Sequence, residues 1–200
     1  MKTKVILSLC LLVVISTSCF AWTITKDLEK EVQVKRDAMK QSPTDPNAIF
    51  DLAISYAYTN HIEEGLALLK KVEQTNPDYK KNAYKLFIPQ VNNDPGNWKI
   101  RFRLAFAYYF AGKKTEAIRE LKNVLISDPN NVWAYGYLAL IYGEMDQIDK
   151  AMQAAQAGIK IDSLVAALHL LLSQGYYKKG DSWNGFLEVA TALRLKAQGY

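Results

Sequence analysis

The sequence predicts an all-α protein, a solenoid (α–α superhelix) of about four helix–turn–helix repeats preceded by one extra helix. Three observations predict it. Columns of like residues recur at a step of 34: Tyr108, Tyr142 and Tyr176; Leu104, Leu138 and Leu172; Ala117, Ala151 and Gly185. Within each copy a Leu, a small residue and a Tyr fall at i, i+1 and i+4, on one side of an α-helix. Half of the 200 residues are apolar and 22% are charged, a globular composition rather than a disordered one. One such hairpin cannot bury its apolar face alone, so neighbouring units must stack.

The chain opens with an address rather than with structure. Lys2 and Lys4 precede an apolar run from Val5 to Ile15, interrupted only by Ser8, and Ser16–Ser18 and Cys19-Phe20-Ala21 follow. That order reads as a secretory signal peptide over residues 1–21, cleaved after Ala21. The run is too short to cross a bilayer, which takes about 20 apolar residues. Cys19 also admits a lipoprotein reading, in which an acyl chain anchors the protein to a membrane. A secreted or periplasmic location is therefore expected, with an outer-membrane lipoprotein as the alternative. Cleavage leaves 179 residues, no cysteine and a charge of +3, because residues 1–21 hold both cysteines and two of the lysines behind the +5 of the whole chain. Disulfides and thiolate chemistry are thereby excluded from the mature protein, which must be held by its apolar core.

Residues 22–44 form the N-terminal unit. Thr25, Leu28, Val32, Ala38 and Met39 predict an amphipathic helix over 25–41, ended before Ser42-Pro43 and capping the first repeat. The repeats are expected at 45–78, 97–130, 131–164 and 165–200, with an insertion at 79–96. The first copy keeps the internal offsets through Leu52, Tyr56 and Gly65, but it lies 52 residues upstream, one period plus 18 residues. In the insertion Tyr79, Ala83, Leu86 and Phe87 suggest a short helix ended by Pro89. Asp45-Pro46 and Asp94-Pro95 read as N-caps with a first-turn proline. The turns inside the hairpins need a residue that enters positive φ, and Asn60, Gly112, Asp146 and Gly180 occupy those places.

Leu52-Ala53…Tyr56, Leu104-Ala105…Tyr108, Leu138-Ala139…Tyr142 and Leu172-Ser173…Tyr176 carry a specific resemblance. So do the second-helix small residues Gly65, Ala117, Ala151 and Gly185, and the closing Pro77 and Pro129, which Ser163 replaces in the third copy. The pattern resembles the tetratricopeptide repeat (TPR) family across about residues 45–198. The resemblance implies non-enzymatic protein binding by a concave surface lined with first-helix side chains. On that side lie Phe50, Lys99, Phe102, Arg103, Phe106, Tyr109, Trp133 and Tyr137, with Ile54, Tyr58, Leu140, Leu170, Gln174 and Tyr177. Lys99 and Arg103, one turn apart, resemble half of the carboxylate clamp of chaperone-binding members. The asparagines of its other half are absent, with Asp51 and Tyr137 in comparable places.

The expected partner is a peptide or helix with apolar anchors and an acidic group. The competing reading is that these aromatics are covered by the N-terminal helix, the insertion or neighbouring repeats. A second surface is expected on the last helix, where Trp183, Phe186, Leu187 and Leu195 form an apolar docking face for self-association or a partner. No catalytic, metal or cofactor site is expected: His61 and His169 stand apart, and HExxH, GxSxG and GxGxxG are absent. Lys80, Lys81, Lys85, Lys99, Arg101 and Arg103 make residues 78–103 locally basic, but secretion and a mature charge of +3 argue against nucleic acid. A carbohydrate in the aromatic groove is a further alternative.

Overall fold

The computed structural model describes residues 25–200. The signal-peptide reading, with Cys10 and Cys19, falls outside the described residues. Helix α1 (Lys26–Gln41) is capped by the Thr25 hydroxyl, which accepts from the Leu28 amide. Four hairpins follow: α2 (Pro46–Ala57) with α3 (Ile62–Thr75), then α6 (Trp98–Phe110) with α7 (Lys114–Ser127). The last two are α8 (Val132–Glu144) with α9 (Ile148–Ile161), and α10 (Ala166–Lys178) with α11 (Ser182–Ala197). Between α3 and α6 lie α4 (Tyr79–Asn82), a 3-10 turn (Ala83–Leu86) and α5 (Ile88–Asn93). Among the described residues there is no strand, and no helix is long and apolar enough to cross a membrane.

The four hairpins close in the same way. Asn60, Gly112, Asp146 and Gly180 all take positive φ, between 57° and 80°. That reversal aims the next amide back at the repeat tyrosine, whose carbonyl accepts it. His61 N donates to Tyr56 O, Lys113 N to Tyr108 O, Gln147 N to Tyr142 O and Asp181 N to Tyr176 O, at 2.8–3.2 Å. These are Schellman closures, and they satisfy helix-end carbonyls that would otherwise lack a donor.

Side chains of the Leu and small-residue columns are buried in every copy, and one apolar cluster runs from α1 to α10 through the insertion. Ala166, Ala192 and Leu195 form a smaller core that joins α10 to α11. Close approach is greatest between α9 and α10, where a Cβ on Gly175 would lie 2.3 Å from Met152 Cγ.

Two local expectations are corrected. Pro89 does not end a helix but sits in the first turn of α5, where its missing N–H costs no hydrogen bond. Asp94 is the C-cap residue of α5, and α6 is capped instead by Asn97, whose side chain accepts from the amides of Lys99 and Ile100. Asp45 does cap α2, accepting from the Asn47 amide.

Candidate interaction surface

The first-helix face begins with amphipathic α1. Leu28, Glu31, Val32 and Lys35 fall at i, i+3, i+4 and i+7 and so share one side. That side lies along α2, where Val32 packs with Leu52 and Tyr56. Glu31 reaches further. Its Oε1 accepts from Arg103 Nη2 at 2.7 Å, from Ser55 Oγ at 3.3 Å and from Tyr58 Oη, while Oε2 accepts from Lys99 Nζ at 3.0 Å. Arg103 Nη1 donates to Asp51 Oδ1 at 2.7 Å, and the other Asp51 oxygen takes Lys35 Nζ at 2.5 Å. The Arg103 guanidinium is buried and sits between two carboxylates.

Burial by itself would raise the Glu31 pKa. The Tyr58 hydroxyl, Lys99 and Arg103 outweigh it and lower the value to about 2. Burial pushes the Tyr58 hydroxyl well above its usual range, so it remains a donor. Lys99 and Arg103 thus do hold a carboxylate, and it is the chain's own.

Next to this network the aromatic face is closed. Phe50 packs against Tyr79 and Phe87 of the insertion and against Phe106 and Phe110 of α6. Phe102 meets Tyr58 edge-on at 5.3 Å and Tyr137 at 5.5 Å, and Tyr137 meets Phe106 at 5.4 Å. Edge-to-face pairs at such distances gain beyond the area they bury. The expectation of a free aromatic groove is therefore corrected: Phe50, Phe102, Arg103, Phe106 and Trp133 are buried, and Lys99, Tyr109 and Tyr137 are half-buried. The cover comes from α1, the insertion and adjacent first helices. Five of the six cations of the basic stripe are likewise paired within the chain. Lys80 pairs with Glu73, Lys81 with Asp78, Lys99 and Arg103 with Glu31, and Arg101 with Glu120.

Further along the array the same side stays open. Between α8, the start of α9 and α10 lies a crevice of about 170 Å³. Leu140 and Leu171 give it apolar walls, and Glu144, Gln174 and Lys178 stand at its margin. Glu144 is held by Tyr109 Oη at 2.6 Å and Lys114 Nζ at 2.9 Å, which lower its pKa against the opposing effect of burial. Gln174 and Lys178 are exposed.

Both histidines are engaged. His61 stacks on Tyr56 at 5.1 Å, and His169 lies between Glu188 Oε2 at 2.6 Å and the Ser163 carbonyl at 3.0 Å. Among the described residues no group of three or more His, Cys, Asp or Glu could hold a metal ion.

Residues 111–175, from the end of α6 into α10, match the family model described as tetratricopeptide repeat. That match falls on the middle of the array, and the hairpins flanking it repeat the same helix–turn–helix form. Solved structures of like fold agree with this. A crystal structure of MamA superposes with a TM-score of 0.52 at 18% identity, over 86% of this chain and 91% of that one. A structure of MamA MSR-1 C2 gives 0.52 at 15% identity over 86% and 95%. YrrB, described as a TPR protein with an unusual peptide-binding site, gives 0.54 at 14% identity over 83% and 94%. At such identities the likeness is one of fold. No curated protein sequence matches the chain.

The docking face expected on the last helix divides in two. Trp183, Phe186 and Leu187 are exposed, whereas Leu195 is 1% exposed and belongs to the core with α10. Leu195 is a correction, and its position explains it. Gly185, Glu188, Ala192 and Leu195 step by three and four along the side of α11 that faces α10, while Trp183, Phe186, Leu187 and Leu193 lie on the other. Glu31 was not among the expected site residues, although its place one turn from Leu28 and beside Val32 put it on the inward side of α1.

Proposed function

We propose that this chain is a non-enzymatic scaffold outside the cytoplasm that binds a peptide or helix on the first-helix side of its C-terminal half. The observation that carries this reading is the open crevice between α8 and α10, on the same side that α1 and the insertion fill in the N-terminal half. Its volume is below the ~300–1,000 Å³ of small-molecule sites. That size suits an aliphatic side chain projecting from a longer segment, with Leu140 and Leu171 as walls. Gln174 is placed to hydrogen-bond the segment's backbone, and Lys178 to meet a carboxylate. The order of residues 2–21 supports the extracytoplasmic location.

A photoreactive residue placed at Gln174 should capture a partner in the native cell, and one placed at Phe106 should not. Adducts from Phe106 with none from Gln174 would reverse the assignment. Mass determination of the mature N-terminus checks the location: residue 22 leads if the signal peptide is removed, and an acylated Cys19 leads if the chain is lipidated.

A further inference from the structure

Among the described residues, several exposed large apolar side chains gather on the outer side of α11. Trp183 is 69% exposed, Phe186 55%, Leu187 44% and Leu193 62%, and the Trp183 and Phe186 rings stack on each other at 6.1 Å. With exposed Ala190 between them, these residues follow helical steps of three and four along one stripe. In the two preceding hairpins the second helix is covered by the next first helix, α7 by α8 and α9 by α10. Among the described residues no helix plays that part for α11.

The charges on this helix indicate what does. Its N-terminal end carries Asp181, which caps the helix through Asn184, and its C-terminal turn carries Arg194 and Lys196, the latter also reaching the exposed Glu63 at 3.2 Å. An antiparallel copy of the same helix brings the Asp181 end near the partner's basic last turn, and it opposes the helix dipoles favourably. The stripe is also complementary to itself in shape. About a two-fold axis at Ala190, Leu187 faces the partner's Leu193, and Phe186 faces the partner's Arg194, a cation over an aromatic ring. Ala190, the smallest side chain of the stripe, falls at the crossing point and permits a close approach of the two axes.

We propose that α11 is a self-association surface that pairs with α11 of a second copy in an antiparallel, two-fold contact centred on Ala190. The pairing leaves the α8–α10 crevice of each copy free, so a dimer presents two peptide sites.

Two independent measurements on the full chain test this. In sedimentation equilibrium the protein should show a concentration-dependent monomer–dimer balance. Phe186→Glu and Leu193→Glu should each raise the dimer dissociation constant at least 10-fold with unchanged helical circular dichroism, because both side chains are already exposed. In a chain with Cys10→Ser, Cys19→Ser and Ala190→Cys, mild oxidation should give a disulfide-linked dimer. That result requires the axis to pass close to residue 190, since bridged Cα atoms lie about 4.4–6.8 Å apart. A wild-type chain that stays monomeric at every concentration overturns the proposal, as does a dimer unaffected by both glutamate variants. So does a monomer that instead binds anionic phospholipid vesicles or a different protein through this helix.

Discussion

The two halves of the array use the same repeat and end with different surfaces. In the N-terminal half, first-helix aromatics meet one another, the insertion and α1, and Arg103 is locked between Glu31 and Asp51. In the C-terminal half the corresponding side holds an open crevice, and the last helix turns Trp183 and Phe186 to solvent. Cover separates the halves. Extra helices at the start of the array convert the first-helix face into a core, and the half without them keeps an open crevice on that side.

The sharpest way to break this comparison is to attack the filled face. Phe102→Ala should cost about 3–5 kcal/mol in chemical denaturation, the usual range for a buried Phe. Arg103→Ala should cost about as much, roughly 3–5 kcal/mol, because it leaves two carboxylates without their shared partner in a partly desolvated place. A loss under about 1 kcal/mol in both variants would show that the face is loosely covered and open to ligands after all.

A smaller effect should appear with pH. The Glu31 pKa of about 2 lies below its ordinary value of 4.5. A carboxylate held lower when folded contributes stability that is fully present above about pH 5, and loses it as pH falls through the folded value. The difference between the two values corresponds to about 3 kcal/mol, at 1.36 kcal/mol per pK unit. Glu31→Gln should therefore destabilise the protein by about that much at pH 7, and by progressively less as pH falls from about 4.5 towards 2. A difference from wild type that is flat from pH 7 to pH 2.5 would mean that α1 is held by Leu28, Val32 and the bonds of Lys35 and Arg36 rather than by Glu31.

What the sequence made legible was local. The positive-φ turns at Asn60, Gly112, Asp146 and Gly180 and the inward Leu and small-residue columns depend on neighbours within one hairpin, and their spacing carries them. Pro89 and Asp94 misled because each type has two helical uses, start and stop, that short-range pattern does not separate. The site was less legible. Phe50, Phe102 and Phe106 share a helix side in either a groove or a core, and the period is the same for both. Which one forms depends on Tyr79, Phe87 and Glu31, and Glu31 reaches partners 68 and 72 residues along the chain. On α11 the stripes of Leu193 and Leu195 differ by two residues and face opposite ways, and only the position of α10 decides which is inward.

The smallest expected effect is the one that most cleanly separates the halves. Trp183→Ala removes the largest side chain in the protein's repertoire from a place that is 69% exposed. It opens no cavity and breaks no hydrogen bond within the chain, so in dilute solution, where the monomer prevails, stability should change by no more than about 0.5 kcal/mol. Against about 3–5 kcal/mol for the smaller ring of Phe102, that contrast attributes stability to cover rather than to ring size. The same substitution read at high protein concentration gives a second number, since any additional loss there belongs to the contact between copies and not to the fold. If Trp183→Ala cost several kcal/mol in dilute monomer, the α11 face would be part of the core, and the C-terminal half would be as closed as the N-terminal one.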